Sequence, residues 1–227
     1  QLDATLAGER LSIQNARCTF VPRTQGRLPR PLHKIDKLLH PASIGIIGVS
    51  AGSMNFGRII LRNLMGSGCA PERLTIIRTG ESEIDGVRCV ESLQALESGL
   101  DLLIVAITAG AVYALVDEII ATEAVETVML IPGSLGETRA SREPAAALAE
   151  RINAAHGKPG GGPRFLGANC LGVVSHPGAY DSWFIPRERL PKEPKKAQRN
   201  SVMLSQSGAF MITRTSQNPW LVTLSLS

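Results

Sequence analysis

The chain reads as an α/β protein built on a doubly wound, Rossmann-like parallel sheet. Three observations predict it. Apolar runs of strand length alternate with amphipathic helical stretches throughout residues 43–172, the pattern of parallel strands joined by right-handed crossover helices. The run Leu102–Ile107 (LLIVAI) is uninterrupted, as a strand buried on both faces must be. Aromatic residues make up 4% of the chain against 44% hydrophobic residues in all, so the core is aliphatic, as it is in such sheets.

Residues 1–40 read as an N-terminal extension, weakly patterned over 1–30. Pro31–His40 then sets Leu32, Ile35, Leu38 and Leu39 on one side of a short amphipathic helix, which Pro41 stops. The first strand runs from Ile44 to Val49 and ends in a turn of small residues: Gly48, Ser50, Gly52, Ser53 and Gly57. Phe56, Ile59, Ile60 and Leu64 follow on one helix face. Leu74–Arg78 is the second strand, Gly80–Val90 reads as loop, and Ser92 caps a short helix over Leu93–Leu96. After the Leu102–Ile107 strand, Gly110 starts a helix in which Val112, Leu115, Val116, Ile119 and Ile120 share a face. Thr127–Ile131 is the next strand and ends in Pro132-Gly133-Ser134. Ser141 caps a helix reaching about His156, Lys158–Pro163 is a loop, and Arg164–Leu166 is a short strand. These elements make residues 41–185 one domain. Residues 186–200, charged and with three prolines, read as a basic linker. Val202–Leu204 is then a strand opening a second domain over 201–227.

Composition excludes several classes of function. No apolar run approaches the ~18 residues of a membrane span, and no signal peptide is visible. The four cysteines, Cys18, Cys69, Cys89 and Cys170, form no CxxC pair, which argues against a zinc ribbon or a disulfide framework and leaves a reducing cytoplasm as the expected compartment. No metal site is expected. The net charge of +4 is unevenly spread. Residues 1–40 carry seven basic and three acidic side chains, residues 41–185 ten and fifteen, and residues 186–227 seven and two. The folded centre is therefore acidic, the opposite of a nucleic-acid-binding face.

The functional signal lies at the first turn. Strand, small-residue turn and helix present free backbone N–H groups to a phosphate. The turn G-V-S-A-G-S-M-N-F-G lacks the GxGxxG fingerprint, and the second strand ends on Arg78 instead of the acid that would hold an NAD ribose. A cation there suits a phosphorylated ribose, that of NADP or coenzyme A; a solvated Arg78 is the alternative. Gly57 fits close helix–strand packing better than ligand contact, and Asn55 fits a helix cap as well as a contact.

The stretch HPASIGIIGVSAGSMNFGRIILRNL resembles the opening of the coenzyme A-binding domain of ADP-forming acyl-CoA synthetases and of the succinyl-CoA synthetase α subunit. Four more stretches follow in the family's order: Asp101-Leu-Leu-Ile-Val-Ala-Ile ("DLavi"), Ile131-Pro-Gly-Ser-Leu-Gly-Glu137-Thr ("GFxET"), Gly167-Ala-Asn169-Cys-Leu-Gly172 ("GPNCLG") and Leu204-Ser-Gln-Ser207-Gly208-Ala ("SQSGA"). The resemblance covers roughly 32–212. It departs at Ala168, where the family has Pro, at Thr108, at Ser134 and at Ile77-Arg78-Thr79. The resemblance implies that 201–227 begins a flavodoxin-like domain. It also implies coenzyme A contacts at Ser50, Gly52, Ser53 and Met54, at Arg78, and at Pro132, Gly133 and Ser134. Asn169, Ser205, Ser207 and Gly208 are candidates for holding a substrate or phosphate, with a plain helix cap the alternative for the two serines.

In that family an acyl-CoA forms from a carboxylate, coenzyme A and a nucleoside triphosphate, through an acyl phosphate and a phosphohistidine. ATP or ADP and Mg are expected only through an ATP-grasp module and a histidine loop lying outside this stretch. None of His33, His40, His156 and His176 sits in a glycine-rich turn, so no catalytic residue is assigned; His156, ending a helix, suits the helix dipole. Cys170 reads as a small buried hydrophobe before it reads as a nucleophile. Expected partners are coenzyme A and either a second copy of the chain or an ATP-grasp domain or subunit. A non-catalytic coenzyme- or nucleotide-binding regulatory module and an NADP-dependent oxidoreductase remain the alternatives.

Overall fold

The computed structural model describes residues 2–7, 10–16, 30–190, 202–217 and 224–226. The chain divides into two compact units, Gln1–Arg30 and Pro31–Ser227. In the first, β1 (Leu2–Ala7) and β2 (Arg10–Ala16) form an antiparallel hairpin. The period-two spacing of Leu2, Ala4 and Leu6, answered by Leu11 and Ile13, suits paired strands, so a stretch read as weakly patterned is ordered locally.

The second unit opens with α1 (Leu32–Leu39). It continues through β3 (Ile44–Ile47), α2 (Phe56–Gly66), β4 (Leu74–Ile77), β5 (Glu83–Ile84), β6 (Val87–Val90), β7 (Leu100–Val105) and α3 (Ala109–Thr122). Then come β8 (Val125–Leu130), α4 (Arg142–His156), β9 (Arg164–Leu166), β10 (Val173–Ser175), β11 (Tyr180–Asp181), β12 (Val202–Leu204), α5 (Gly208–Gln217) and β13 (Leu224–Leu226). Seven strands form one sheet in the order β5-β6-β4-β3-β7-β8-β9. All its pairings are parallel except that of β5 with β6. This is the expected Rossmann-like architecture.

Alternation along the central strands divides the core in two. Ile46, Ile76, Leu102 and Ile104 pack with Ile60 and Leu64 of α2 on one face. Leu103, Val105 and Val128 pack with Val112, Val116 and Ile119 of α3 on the other. All twelve of these side chains are buried. At ~25 cal/mol per Å² of apolar area, this two-faced burial is the main stabilising term, and it fixes the strand ends as a rigid platform.

Three local expectations are corrected. Gly80–Val90 is not a plain loop: β5 and β6 make a hairpin around Asp85 and Gly86, both at positive φ (51° and 82°), as a type I′ turn requires. Ser92 makes no side-chain cap to the short 3-10 turn Leu93–Ala95. Ser141 does not cap α4 through its side chain either; its hydroxyl accepts from the Gly136 and Thr138 amides, 3.1 Å each, and braces the turn before the helix.

Outside the main sheet, β11, β10, β13 and β12 form a four-stranded sheet in that order, with β12 and β13 parallel and the β10 pairings antiparallel. Asn63 of α2 braces the connecting segment by donating to the carbonyls of Trp183 (2.5 Å) and Ile185 (2.8 Å). Residues 191–200, most of the expected linker, with Lys192, Lys195, Lys196 and Arg199, lie outside the described residues.

Candidate functional site

Ligands on open parallel sheets bind beyond the carboxyl ends of the strands, and the sequence-predicted residues gather there in two sets. The first surrounds the ends of β3 and β4. Gly48 sits at φ +100°, and a Cβ on it would lie 2.2 Å from the Ala106 carbonyl oxygen. A Cβ on Gly57 would lie 2.4 Å from the Gly48 oxygen. These two glycines let α2 start directly against β3, so Gly57 serves packing. Asn55 is the helix cap: its Oδ1 accepts from the Arg58 amide (3.0 Å) and the Ser50 amide (3.3 Å), and its Nδ2 donates to the Gly48 oxygen (2.7 Å).

Between these anchors lies an open turn. The Ser50 and Ser53 hydroxyls are 3.0 Å apart, and the Ser53 amide donates to Ser50 Oγ at 3.1 Å. Gly52 has no heavy atom within 4 Å of where a Cβ would stand. Met54 is half exposed. Guanidinium groups occupy the turn's carbonyls. Arg78 Nη1 donates to the Val49 oxygen at 3.0 Å, and Arg58 Nη1 to the Ala51 oxygen at 2.8 Å and the Ser50 oxygen at 3.4 Å. Among the described residues the amides of Ala51 and Gly52 donate to no protein group. Arg78 Nε is buried with no hydrogen-bond partner there, so this guanidinium keeps unused donor capacity.

Arg58 is itself held by Asp85 at the hairpin tip, Nε to Oδ2 at 3.0 Å and Nη2 to Oδ1 at 2.6 Å, with Arg62 joining at 3.4 Å. The hydrogen bond from Arg58 holds the Asp85 carboxyl below its ordinary range. Sequence reading passed over Arg58 and Asp85. The dipeptide Asp85-Gly86 was the available signal for the hairpin; the pairing across 27 positions left none.

The second set lies at the ends of β8 and β9. The Asn169 amide donates to the Pro132 oxygen at 2.8 Å, and a Cβ on Gly133 would meet Asn169 Oδ1 at 3.1 Å. Ser134 and Asn169 both stand at positive φ, 65° and 56°. One strand, β7, separates β3 from β8, which puts the two sets about 10 Å apart at the usual strand spacing. Of the departures from the family pattern, Thr108 precedes α3 without a side-chain cap bond, and Ala168 packs against the α3 side of the core.

A cleft of about 1000 Å³ adjoins the second set, lined among others by Glu137, Asn169, Cys170, Phe184, Ser205, Ser207 and Gly208. The structure thus brings together the four residues expected to hold a substrate or phosphate. Ser205 Oγ donates to the Ser207 oxygen (2.9 Å) and accepts from the Ser207 amide (3.1 Å); Ser207 Oγ accepts from the Phe210 amide (3.2 Å) and so caps α5. Cys170 is 2% exposed, and burial pushes its thiol up to about 11, which leaves it protonated and inert at neutral pH. Phe184 packs against Phe56, centroids 4.8 Å apart and planes tilted by 36°, and the two rings form an apolar ledge joining the first turn of α2 to the cleft. That ledge was also missed, because its halves lie far apart in sequence.

His156 is corrected. Its Nε2 lies 2.8 Å from the Pro163 oxygen, and burial lowers its pKa, so the ring favours the neutral form and does not act as a dipole-stabilising cation. His40 Nδ1 pairs with Asp36 at 2.8 Å. Among the described residues no group of three His, Cys, Asp or Glu could hold a metal ion, and no helix is long and apolar enough to cross a membrane.

Comparison with known proteins adds three findings. Residues 42–176, more than half of the chain, match the family model described as CoA binding domain. The chain is 27% identical over 181 residues to the acetate–CoA ligase (ADP-forming) I subunit alpha of Pyrococcus furiosus, and 25% identical over 179 residues to the II subunit alpha. Each match covers 78% of the chain but only 36% and 35% of the relative, so the chain spans about a third of the length of the curated relatives it matches. The fold is also that of a dinucleotide forming acetyl-coenzyme A synthetase 1 from Ca. Korarchaeum cryptofilum, solved with phosphate and ADP. There the TM-score is 0.69 at 22% identity, over 85% of this chain and 39% of that one.

Proposed function

Because the chain belongs to the CoA binding domain family, we propose that it binds coenzyme A along the carboxyl edge of the seven-stranded sheet, with the diphosphate on the Ser50–Met54 turn. The observation that carries this placement is the open space over Gly52, flanked by two amides without a protein acceptor. The residues fit the ligand's chemistry. The Ala51 and Gly52 amides of the turn leading into α2 suit a diphosphate, and the Ser50–Ser53 hydroxyl pair supplies a further donor. Arg78, partly exposed at the end of β4, suits the 3′-phosphate. Pro132, Gly133 and Ser134 flank the path from the turn toward the cleft, with Met54 and the Phe56–Phe184 ledge as its apolar wall for the pantetheine arm.

In the complete protein the cleft beside α5 would take the acyl substrate or a phosphate, with Asn169, Ser205, Ser207 and Gly208 as its polar lining. The whole would act as an ADP-forming acid–CoA ligase with an ATP-grasp partner or in a homo-oligomer. The likeness to the two ligase α subunits supports this. The cytoplasm is the proposed compartment, supported by the free thiols of Cys69, Cys89 and Cys170.

The test is a calorimetric titration with coenzyme A, dephospho-coenzyme A and NADP. Coenzyme A is expected to bind, with affinity falling about tenfold when either the 3′-phosphate or the Arg78 side chain is removed, the scale of one charge-assisted contact. Binding of NADP without coenzyme A would contradict the proposal.

A further inference from the structure

The Ser50–Met54 turn is held from behind by a relay of charge. Asp85, at the tip of the β5–β6 hairpin, grips Arg58 with both carboxylate oxygens, at 2.6 and 3.0 Å. The remaining Arg58 nitrogen, Nη1, donates to the Ala51 oxygen at 2.8 Å and the Ser50 oxygen at 3.4 Å. Both side chains are largely shielded, 17% and 20% exposed, so this is not a loose surface pair of negligible worth. A trans peptide points its N–H opposite to its C=O. Fixing the Ser50 and Ala51 carbonyls toward Arg58 therefore turns the amides of Ala51 and Gly52 the other way, and those are the two amides without a protein acceptor.

We propose that Asp85 and Arg58 are positioning residues for coenzyme A: Asp85 orients Arg58, and Arg58 holds the turn's carbonyls inward so that its amides face the diphosphate. This inference rests on the reading of the turn as the coenzyme site. Neither residue needs to touch the ligand. Their effect is pre-organisation, since a ligand that meets a turn only partly in the competent state binds more weakly by that fraction. Arginine is required at 58, because a lysine ammonium cannot span a carboxylate and two carbonyls with a rigid fork.

The sign of one substitution separates this device from simple electrostatics. Asp85→Asn removes a negative charge near an anionic ligand, which on Coulomb grounds alone would tighten binding. As a positioning residue, Asp85 predicts the reverse. Asparagine tolerates the positive φ at this position, so the hairpin turn itself is spared. Coenzyme A would be titrated into the wild-type chain and into Asp85→Asn, Arg58→Lys and Asp85→Glu. Amide order parameters would be measured for Ala51 and Gly52 without ligand, and thermal melts would check folding. Affinity is expected to fall about tenfold in Asp85→Asn and Arg58→Lys and to recover in part in Asp85→Glu. The order parameters of the two amides should drop from the rigid range near ~0.85 to below ~0.6. If wild type binds and both Asp85→Asn and Arg58→Lys bind as tightly or tighter, the positioning role is wrong and the coenzyme site stands. If wild type fails to bind coenzyme A, the site reading falls, and this inference with it.

Discussion

The turn after β3 and the cleft beside α5 are both strand-to-helix junctions rich in serine and glycine, and in both a serine hydroxyl accepts from a nearby serine amide, yet they are braced by different groups. At the β3–α2 turn the protein satisfies the carbonyls with Arg58 and Arg78 and leaves the Ala51 and Gly52 amides free over open space. At the α5 junction the serines satisfy one another and the helix: Ser205 closes on Ser207, and Ser207 on the Phe210 amide. A serine–glycine turn is thus not a ligand site by composition. What separates the two is the charge of the groups that hold the backbone. The first pairs its open amides with two arginines. At the second the Gly208 and Ala209 amides likewise donate to no protein group among the described residues, and serine hydroxyls, not guanidinium groups, brace the turn.

The most damaging substitution should be Gly57→Ala, because the added methyl would lie 2.4 Å from the Gly48 oxygen, a backbone atom that cannot swing aside. A loss of about 3 kcal/mol is expected, read by denaturant unfolding. Next comes Gly52→Glu. With nothing within 4 Å of its Cβ position, stability should change by less than about 0.5 kcal/mol. Coenzyme A binding should nevertheless weaken roughly 100-fold, since a like charge then stands where the diphosphate is proposed to lie. The contrast between these two glycines sharpens the comparison, one closed in by backbone and one open. The smallest effect is expected at Cys170. With its thiol pushed up to about 11, the thiolate is on the order of one part in a thousand at pH 8. Iodoacetamide should leave Cys170 unlabelled in the native protein, and Cys170→Ala should leave coenzyme A affinity unchanged. Rapid labelling would restore a nucleophile to the cleft.

The central sheet was legible because strands buried on both faces need continuous apolar runs, and Leu102–Ile107 is one. The first turn was legible as a turn because a run of small residues separates the apolar strand from the helical pattern. The β5–β6 hairpin was not read, since strands of two and four residues carry almost no periodicity, although Asp85-Gly86 is a turn signature. The arginine pair behind the turn was out of reach. Arg58 looks like an ordinary helix-surface residue until the hairpin brings Asp85 to it. Arg78 was found only because it stood where an acid was expected, and its bond to the Val49 carbonyl was not foreseeable from that argument. Asn55 and Gly57 show the same limit from the other side: each had two readings in sequence, and only the geometry of the Gly48 carbonyl decided between them.

The most direct measurement is hydrogen exchange across the whole chain with and without saturating coenzyme A. Protection centred on residues 50–54, with little change at 205–212, is the predicted result. Protection confined to 205–212, leaving the first turn unaffected, would contradict the account by placing the coenzyme at the start of α5.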